Sequence, residues 1–166
     1  MASQSDLDRA YIEIAKTWAQ LSSAKRKKVG CIIVKNGSII SDGYNGTPSG
    51  FNNDCELIIA NEGGISIDDD GNYVKGSYEL VTKPEVLHAE SNAITKLAKS
   101  TQSSDGATMY ITISPCLDCA KLMVQAGIKR VVFGEFYRAQ EGINLLKQSN
   151  IAVEEISTKK TQLNFN

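Results

Sequence analysis

The sequence predicts an α/β domain in which a five-stranded mixed sheet carries helices on both faces. Three observations lead there. Short β-branched runs alternate with stretches of helical periodicity along the chain. Asn36-Gly37 joins two of the runs as a hairpin turn. A helix separates the last two strands, which requires that pair to be parallel. The length of 166 residues suits one domain with a full core, and 42% hydrophobic with 22% charged residues is ordinary for a globular protein.

The elements follow in order. Ser5 and Asp8 read as a capping box for a first helix, with Leu7, Tyr11, Ile14, Trp18 and Leu21 at helical spacing. Val29 to Val34 and Ser38 to Asp42 are strands. Residues 51 to about 87 carry glycines, an Asp68-Asp69-Asp70-Gly71 turn and few periodic apolar positions. They read as an insertion with at most a short hairpin, over or beside the site. Ala89, Ala93, Ile94, Leu97 and Ala98, with Pro84 upstream, predict a helix from about 88 to 99. Thr108 to Ile113 is a strand. Ser114 as N-cap and Pro115 at the first helical position then open a helix through Leu117, Ala120, Met123 and Val124 to Gly127. Val131 to Phe133, Gln140 to Gln148 and Ile151 to Glu154 read as strand, helix and strand. Residues 1–166 are read as one domain without internal repeats, with a frayed tail after about 156.

Composition narrows the function. Eighteen Lys and Arg against nineteen Asp and Glu leave a net charge of -1, where a dedicated nucleic-acid binder is usually basic. A small substrate is favoured. No stretch has the length of a membrane span and the N-terminus lacks signal-peptide character. Four cysteines without a secretion signal therefore predict a reducing, cytoplasmic setting, with metal ligands in preference to disulfides.

The chemistry concentrates around the only histidine. His88 stands in Leu87-His88-Ala89-Glu90, and Ser114-Pro115-Cys116-Leu117-Asp118-Cys119 follows, giving H-x-E and P-C-x-x-C. A Cys-x-x-Cys alone is also a redox pair or chance, and a lone histidine is commonly an ordinary surface or core residue. Jointly they describe zinc. One imidazole and two thiolates leave the fourth tetrahedral position open, as in catalytic sites, whereas a structural zinc is closed by four protein ligands. Cys116 and Cys119, three apart, share one helix face. His88 and Glu90, two apart, reach one metal only from a helix N-terminus. The site therefore needs two helix N-termini converging on one zinc, with Glu90 free to move protons.

H-x-E with P-C-x-x-C is a known signature of zinc nucleobase deaminases. From about residue 5 to about 155 the chain resembles the deoxycytidylate (dCMP) deaminases of the cytidine deaminase-like superfamily. The likeness rests on Val29-Gly30-Cys31-Ile32-Ile33-Val34, Gly43-Tyr44-Asn45-Gly46-Thr47-Pro48-Ser49-Gly50, His88-Ala89-Glu90-Ser91-Asn92-Ala93-Ile94 and Ser114-Pro115-Cys116-Leu117-Asp118-Cys119-Ala120-Lys121. The resemblance implies a three-layer α/β/α sandwich and zinc-dependent hydrolysis of dCMP to dUMP and ammonia. It also implies hexamers activated by dCTP and inhibited by dTTP, each bound with Mg2+.

The resemblance further implies that Asn45 holds the substrate sugar, although Asn45-Gly46 by itself is also a plain turn. It assigns the regulatory triphosphate to the loop of Tyr44, Asn45, Gly46 and Gly50. Tyr137 is placed either to stack on the base or to pack in the core. In Lys25-Arg26-Lys27-Lys28, Arg26 and Lys28 are candidates for the dCMP phosphate; effector triphosphate, a nucleic-acid backbone and a solvated face are the other readings. Some relatives bind a second zinc, but this chain has no second histidine and Ser22-Ser23-Ala24 offers no cysteine. Cys31 reads as core, Cys55 remains, and one zinc per chain is expected. Two rival functions are an editing deaminase acting on tRNA adenosine or single-stranded nucleic acid, and a non-catalytic zinc scaffold. The first needs a basic, aromatic surface; the second has no need of Glu90.

Overall fold

The computed structural model describes residues 1–138 and 140–156. The tail read as frayed after about 156 lies outside the described residues. The elements in chain order are α1 (Gln4–Ala19), β1 (Gly30–Lys35), β2 (Ser38–Tyr44), β3 (Glu56–Ala60), β4 (Tyr78–Thr82), α2 (Ala89–Leu97), β5 (Thr108–Ile111), α3 (Leu117–Gln125), β6 (Arg130–Phe133), α4 (Glu141–Gln148) and β7 (Ala152–Glu155).

The main sheet has the order β2-β1-β5-β6-β7. β1 pairs antiparallel with both β2 and β5, while β5-β6 and β6-β7 are parallel. The two parallel steps are the ones crossed by α3 and α4, because a parallel return needs a crossover longer than a turn. Asn36 and Gly37 have φ of 52° and 74°, the left-handed pair of a tight hairpin.

Alternation along the central strands separates two apolar layers. Cys31, Ile33, Met109, Ile111, Val131 and Phe133 face Ala93, Leu97, Ala120, Met123, Ile143 and Leu146 of α2, α3 and α4. Ile32, Val34, Tyr110 and Val132 face Ile12 of α1 on the other side. This is the predicted sandwich: one helix below the sheet, three above.

Two corrections concern α1. Its capping box is Ser3 with Asp6, not Ser5 with Asp8. The buried line is Asp8, Ile12, Ala15 and Ala19, whereas Leu7 and Leu21 stay 39% and 60% exposed. Small Ala15 and Ala19 let the helix approach the sheet, so the close face is not the one with the largest side chains. Asp8 turns inward because it has partners. Arg130 donates to both its carboxylate oxygens at 2.8 and 2.7 Å, and Tyr110 and Gln4 donate to Oδ1 at 2.6 and 2.8 Å. Arg130 also holds Glu154 through two bonds of 2.8 Å.

Burial alone raises the Asp8 carboxyl, but the hydrogen bonds from Arg130, Tyr110 and Gln4 overcome it and hold the pKa at about 2. A depressed carboxylate adds stability that is complete above its unfolded pKa and is lost as pH falls through the folded one. Asp8→Asn is therefore expected to cost about 2 kcal/mol near neutral pH. The difference from wild type, followed by urea unfolding, should shrink between about pH 4 and pH 2. A constant difference across that window would refute the pairing argument.

The insertion, expected to hold at most a short hairpin, contains one, β3 with β4, Glu56 opposite Thr82. The run Leu57-Ile58-Ile59 makes it a strand, although its apolar residues stay largely exposed. Asp68 Oδ1 accepts from the N–H groups of Asp70 and Asn72, which closes the expected acidic turn. Among the described residues, no helix is long and apolar enough to cross a membrane.

Candidate active site

Two loops place the metal-ligand candidates at the mouths of two helices. His88 is the N-cap of α2 and Cys116 the N-cap of α3, both extended, with φ/ψ of -72°/157° and -73°/168°. The second helix thus starts two residues later than Ser114-Pro115 predicts; Pro115 still precedes it and Cys119 lies in its first turn. Close backbone approach brings both helix ends in. A Cβ on Gly43 would lie 2.1 Å from the Ala89 carbonyl, and one on Gly142 would lie 2.2 Å from the Pro115 carbonyl. Only glycine lets β2 lie against the start of α2, and α4 against the loop bearing Cys116.

The two N-termini converge. The ligand atoms of His88, Cys116 and Cys119 lie within 4.8 Å of one another. His88 Nδ1 is 3.5 Å from Cys116 Sγ and 3.3 Å from Cys119 Sγ. Zinc bonds of about 2.0–2.1 Å to nitrogen and 2.3 Å to sulfur at a tetrahedral angle put N and S about 3.5 Å apart. The donor set and its spacing fit zinc, with one coordination position left to a non-protein ligand. No second group of three His, Cys, Asp or Glu ligands lies this close among the described residues. Cys31 is fully buried, its thiol donating to the Ala89 carbonyl, as its core reading expects.

Contacts within the cluster divide its protons unevenly. Hydrogen bonding from the Cys119 thiol, and then from His88, holds Cys116 down to about 4. Cys119, the partner that keeps its proton in that pair, is pushed up. The hydrogen bond to Cys116 raises His88, with Glu90 adding to it against burial. Glu90 itself is 4% exposed. Burial pushes its carboxyl up, with its own backbone N–H and His88 opposing.

His88, Glu90 and Cys116 open into a cavity of about 340 Å³. Asn45, Tyr137, Arg26, Lys27 and Arg138 line the same cavity. Asn45 is anchored by its side chain: Oδ1 accepts from Val29 N–H at 2.8 Å and Nδ2 donates to the Lys27 carbonyl at 2.9 Å. Arg26 donates to Thr82 Oγ1 at 3.0 Å, and its N–H and that of Lys25 both bind Glu56. The insertion is thereby tied beside the site, with Glu56 and Thr82 in its wall.

Lys28 is a correction. It donates to the Gln20 carbonyl at 3.5 Å and lines a separate, smaller cleft. On the way into β1, Arg26, Lys27 and Val29 line the cavity and Lys28 does not, although Lys27 also reaches the smaller cleft. Tyr44, Gly46 and Gly50 of the glycine-rich loop also lie outside the cavity lining; Gly46 pairs with Leu87.

Sequence reasoning passed over Arg138, Glu56, Thr82 and the cavity-facing role of Lys27. Arg138 carried no local signal, since its position depends on a loop with φ of 62° at that residue.

The family model described as "Cytidine and deoxycytidylate deaminase zinc-binding region" matches residues 5–135. The chain belongs to this family. As a member of the cytidine and deoxycytidylate deaminases it is a zinc-dependent deaminase, and His88, Cys116 and Cys119 are its candidate ligands. The deoxycytidylate deaminase of Enterobacteria phage T2 is 37% identical over 148 residues, covering 76% of this chain and 78% of that one. The deoxycytidylate deaminase of Saccharomyces cerevisiae is 34% identical over 151 residues, covering 90% of this chain and 45% of that one. The crystal structure of dCMP deaminase from the cyanophage S-TIM5, in complex with dCMP and dUMP, has a TM-score of 0.76 at 43% identity. It covers 93% of this chain and 100% of that one. The five-stranded mixed sheet in an α/β/α sandwich is the family's fold, as the sequence predicted.

Proposed function

We propose that this deaminase hydrolyses dCMP to dUMP and ammonia, in the supply of pyrimidine deoxynucleotides. The observation that carries the reading is the buried Glu90 carboxyl lining one cavity together with His88 and Cys116 of the ligand cluster and three cations, Arg26, Lys27 and Arg138. Zinc, when held by that cluster, supplies the Lewis acidity that lets water ionise near pH 7.

The remaining work belongs to the chain. Glu90 accepts the proton of the attacking water as oxygen adds to C4 of cytosine, and delivers it to ring N3. It then moves a proton to the departing amino group, and the C4–N bond breaks to give uracil and ammonia. A carboxyl raised by burial suits both directions of transfer. Arg26, Lys27 and Arg138 offer positive charge to the 5′-phosphate, which is the group that separates a nucleotide from a nucleoside. The Tyr137 ring offers a stacking face to the base. Arg138 lies 4.8 Å over the Tyr137 ring centre and Lys27 5.9 Å, so the aromatic and cationic groups form one wall.

Asn45 keeps one N–H and one lone pair free of its backbone bonds, enough to meet a sugar hydroxyl. Asn45→Ala should raise KM for dCMP about tenfold, the worth of one or two hydrogen bonds. Unchanged kinetics would remove the residue from the site.

The regulatory reading is also a proposal. The loop of Tyr44, Asn45, Gly46 and Gly50 would take dCTP or dTTP with Mg2+, in a hexamer, and reach the catalytic cavity through Asn45 and its bonds to the Lys27 and Val29 backbone. The resemblance to regulated deaminases supports it. The test is ammonia release from dCMP, deoxycytidine, CMP and dCTP by zinc-loaded protein, with and without dCTP or dTTP and Mg2+. Turnover confined to dCMP and switched by the triphosphates is the expected result. Turnover of none of them would overturn the substrate assignment.

A further inference from the structure

Ser114 spends all its hydrogen-bonding groups but one on a single loop. Its N–H donates to the Glu135 carbonyl at 2.8 Å. Its Oγ accepts from the Tyr137 N–H at 2.8 Å and donates to the Tyr137 carbonyl at 3.3 Å. A hydroxyl has one proton to give, so this one is committed to the backbone of one residue. Ser114 is 3% exposed, lines the cavity, and is followed directly by Pro115 and the ligand Cys116.

The loop it holds carries two further lining residues of the cavity. Tyr137 and Arg138 are on it, and Arg138 keeps φ at 62°, a conformation a non-glycine residue retains only where its surroundings enforce it. Glu135, in the same loop, holds Lys27 at 3.1 Å. Lys27, Tyr137 and Arg138 are thus all referred back to one serine beside a metal ligand.

We propose that Ser114 is a positioning residue: it sets the span between the metal centre and the Tyr137-Arg138 wall, and so seats the base and phosphate of the nucleotide against Glu90. The second half of this statement rests on the dCMP reading above.

Two measurements separate the claims. Amide hydrogen exchange needs no substrate. In the wild-type, zinc-loaded protein the Tyr137 amide should be protected like the strands beside it, although it lies outside any helix or strand. Ser114→Ala should speed its exchange about tenfold or more, the loss of one buried bond. The kinetic arm follows zinc content, KM and kcat together. Ser114→Ala should keep one zinc per chain and raise KM for dCMP about tenfold, with kcat changed by less than about threefold. Ser114→Thr, which keeps the hydroxyl, should restore KM.

Arg138→Ala should add little to KM once Ser114→Ala is present, because contacts that act through one another are not additive. Rapid exchange at Tyr137 in the wild type would overturn the proposal, and that measurement stands even if Ser114→Ala fails to fold. Loss of zinc, an unchanged KM or full additivity with Arg138→Ala would overturn it as well. A wild-type protein that leaves dCMP untouched refutes the substrate assignment instead, and the exchange result still decides whether Ser114 holds the wall.

Discussion

Glu90→Gln is expected to keep the fold and the metal and to lose nearly all turnover. The substitution preserves size and planarity but leaves no group that can take a proton from water and return it to the ring and the leaving amine. General acid–base catalysis contributes about 10² to 10⁴ in rate for one transfer, and Glu90 is asked to serve more than one. A fall in kcat of at least about 10³, about 4 kcal/mol of barrier, follows. The stability side points the other way. Glu90 is 4% exposed and its carboxyl is raised by burial, so replacing it by a neutral amide relieves a desolvated charge. The melting temperature should hold or rise while activity vanishes. Metal analysis, thermal melting and ammonia release on one preparation check all three. Activity within a few-fold of wild type, with zinc present, would remove Glu90 from the proton path.

Cys116→Ser is expected to do the reverse: the metal goes first, and activity follows it. A serine hydroxyl stays protonated at neutral pH and is a hard ligand where zinc is best served by thiolate. Cys116 is the ligand already held down to about 4 by its neighbours, so its loss removes the charge that the cluster presents to a cation. With only His88 and Cys119 left, zinc affinity should fall by more than about 100-fold, since disturbing even the outer partners of a ligand costs about 10- to 100-fold. Dialysed protein should contain well under one zinc per chain. Wild type should lose thermal stability on chelation, because metal binding to the native state is linked to folding. The variant should be indifferent to chelator. Full zinc occupancy in Cys116→Ser would show that the metal is held elsewhere.

The metal centre was legible because its information is local. His88 with Glu90, and Cys116 with Cys119, are pairs two and three residues apart, and such spacing limits geometry whatever the rest of the chain does. The Asn36-Gly37 turn was legible for a similar reason, since few residue pairs adopt its positive φ values. Helix and strand identities followed from periodicity.

Errors arose where packing at a distance chose between local options. Ser5 and Ser3 are both competent caps, and Asp8 would have served a box. Arg130, 122 residues away, takes Asp8 into the interior instead. Ser114 is a sound N-cap by type; its hydroxyl is claimed by Tyr137, and Cys116 becomes the cap. Lys28 and Lys27 are alike in sequence, and only the folded path of the chain puts Lys27, and not Lys28, in the cavity lining.

By itself, then, the sequence determined the candidate ligand set, the carboxylate beside it and the class of fold, because each rests on residue types at short spacing or on a repeating pattern. Only the tertiary structure decided which cations share the cavity with Glu90, that Ser114 bonds the Tyr137 backbone, and that the insertion is tied to the cavity rim. Those depend on the folded path of the chain and on hydrogen bonds between residues far apart in it. Neither leaves a trace in local composition, since a buried polar group takes whichever partner the packed chain brings within reach.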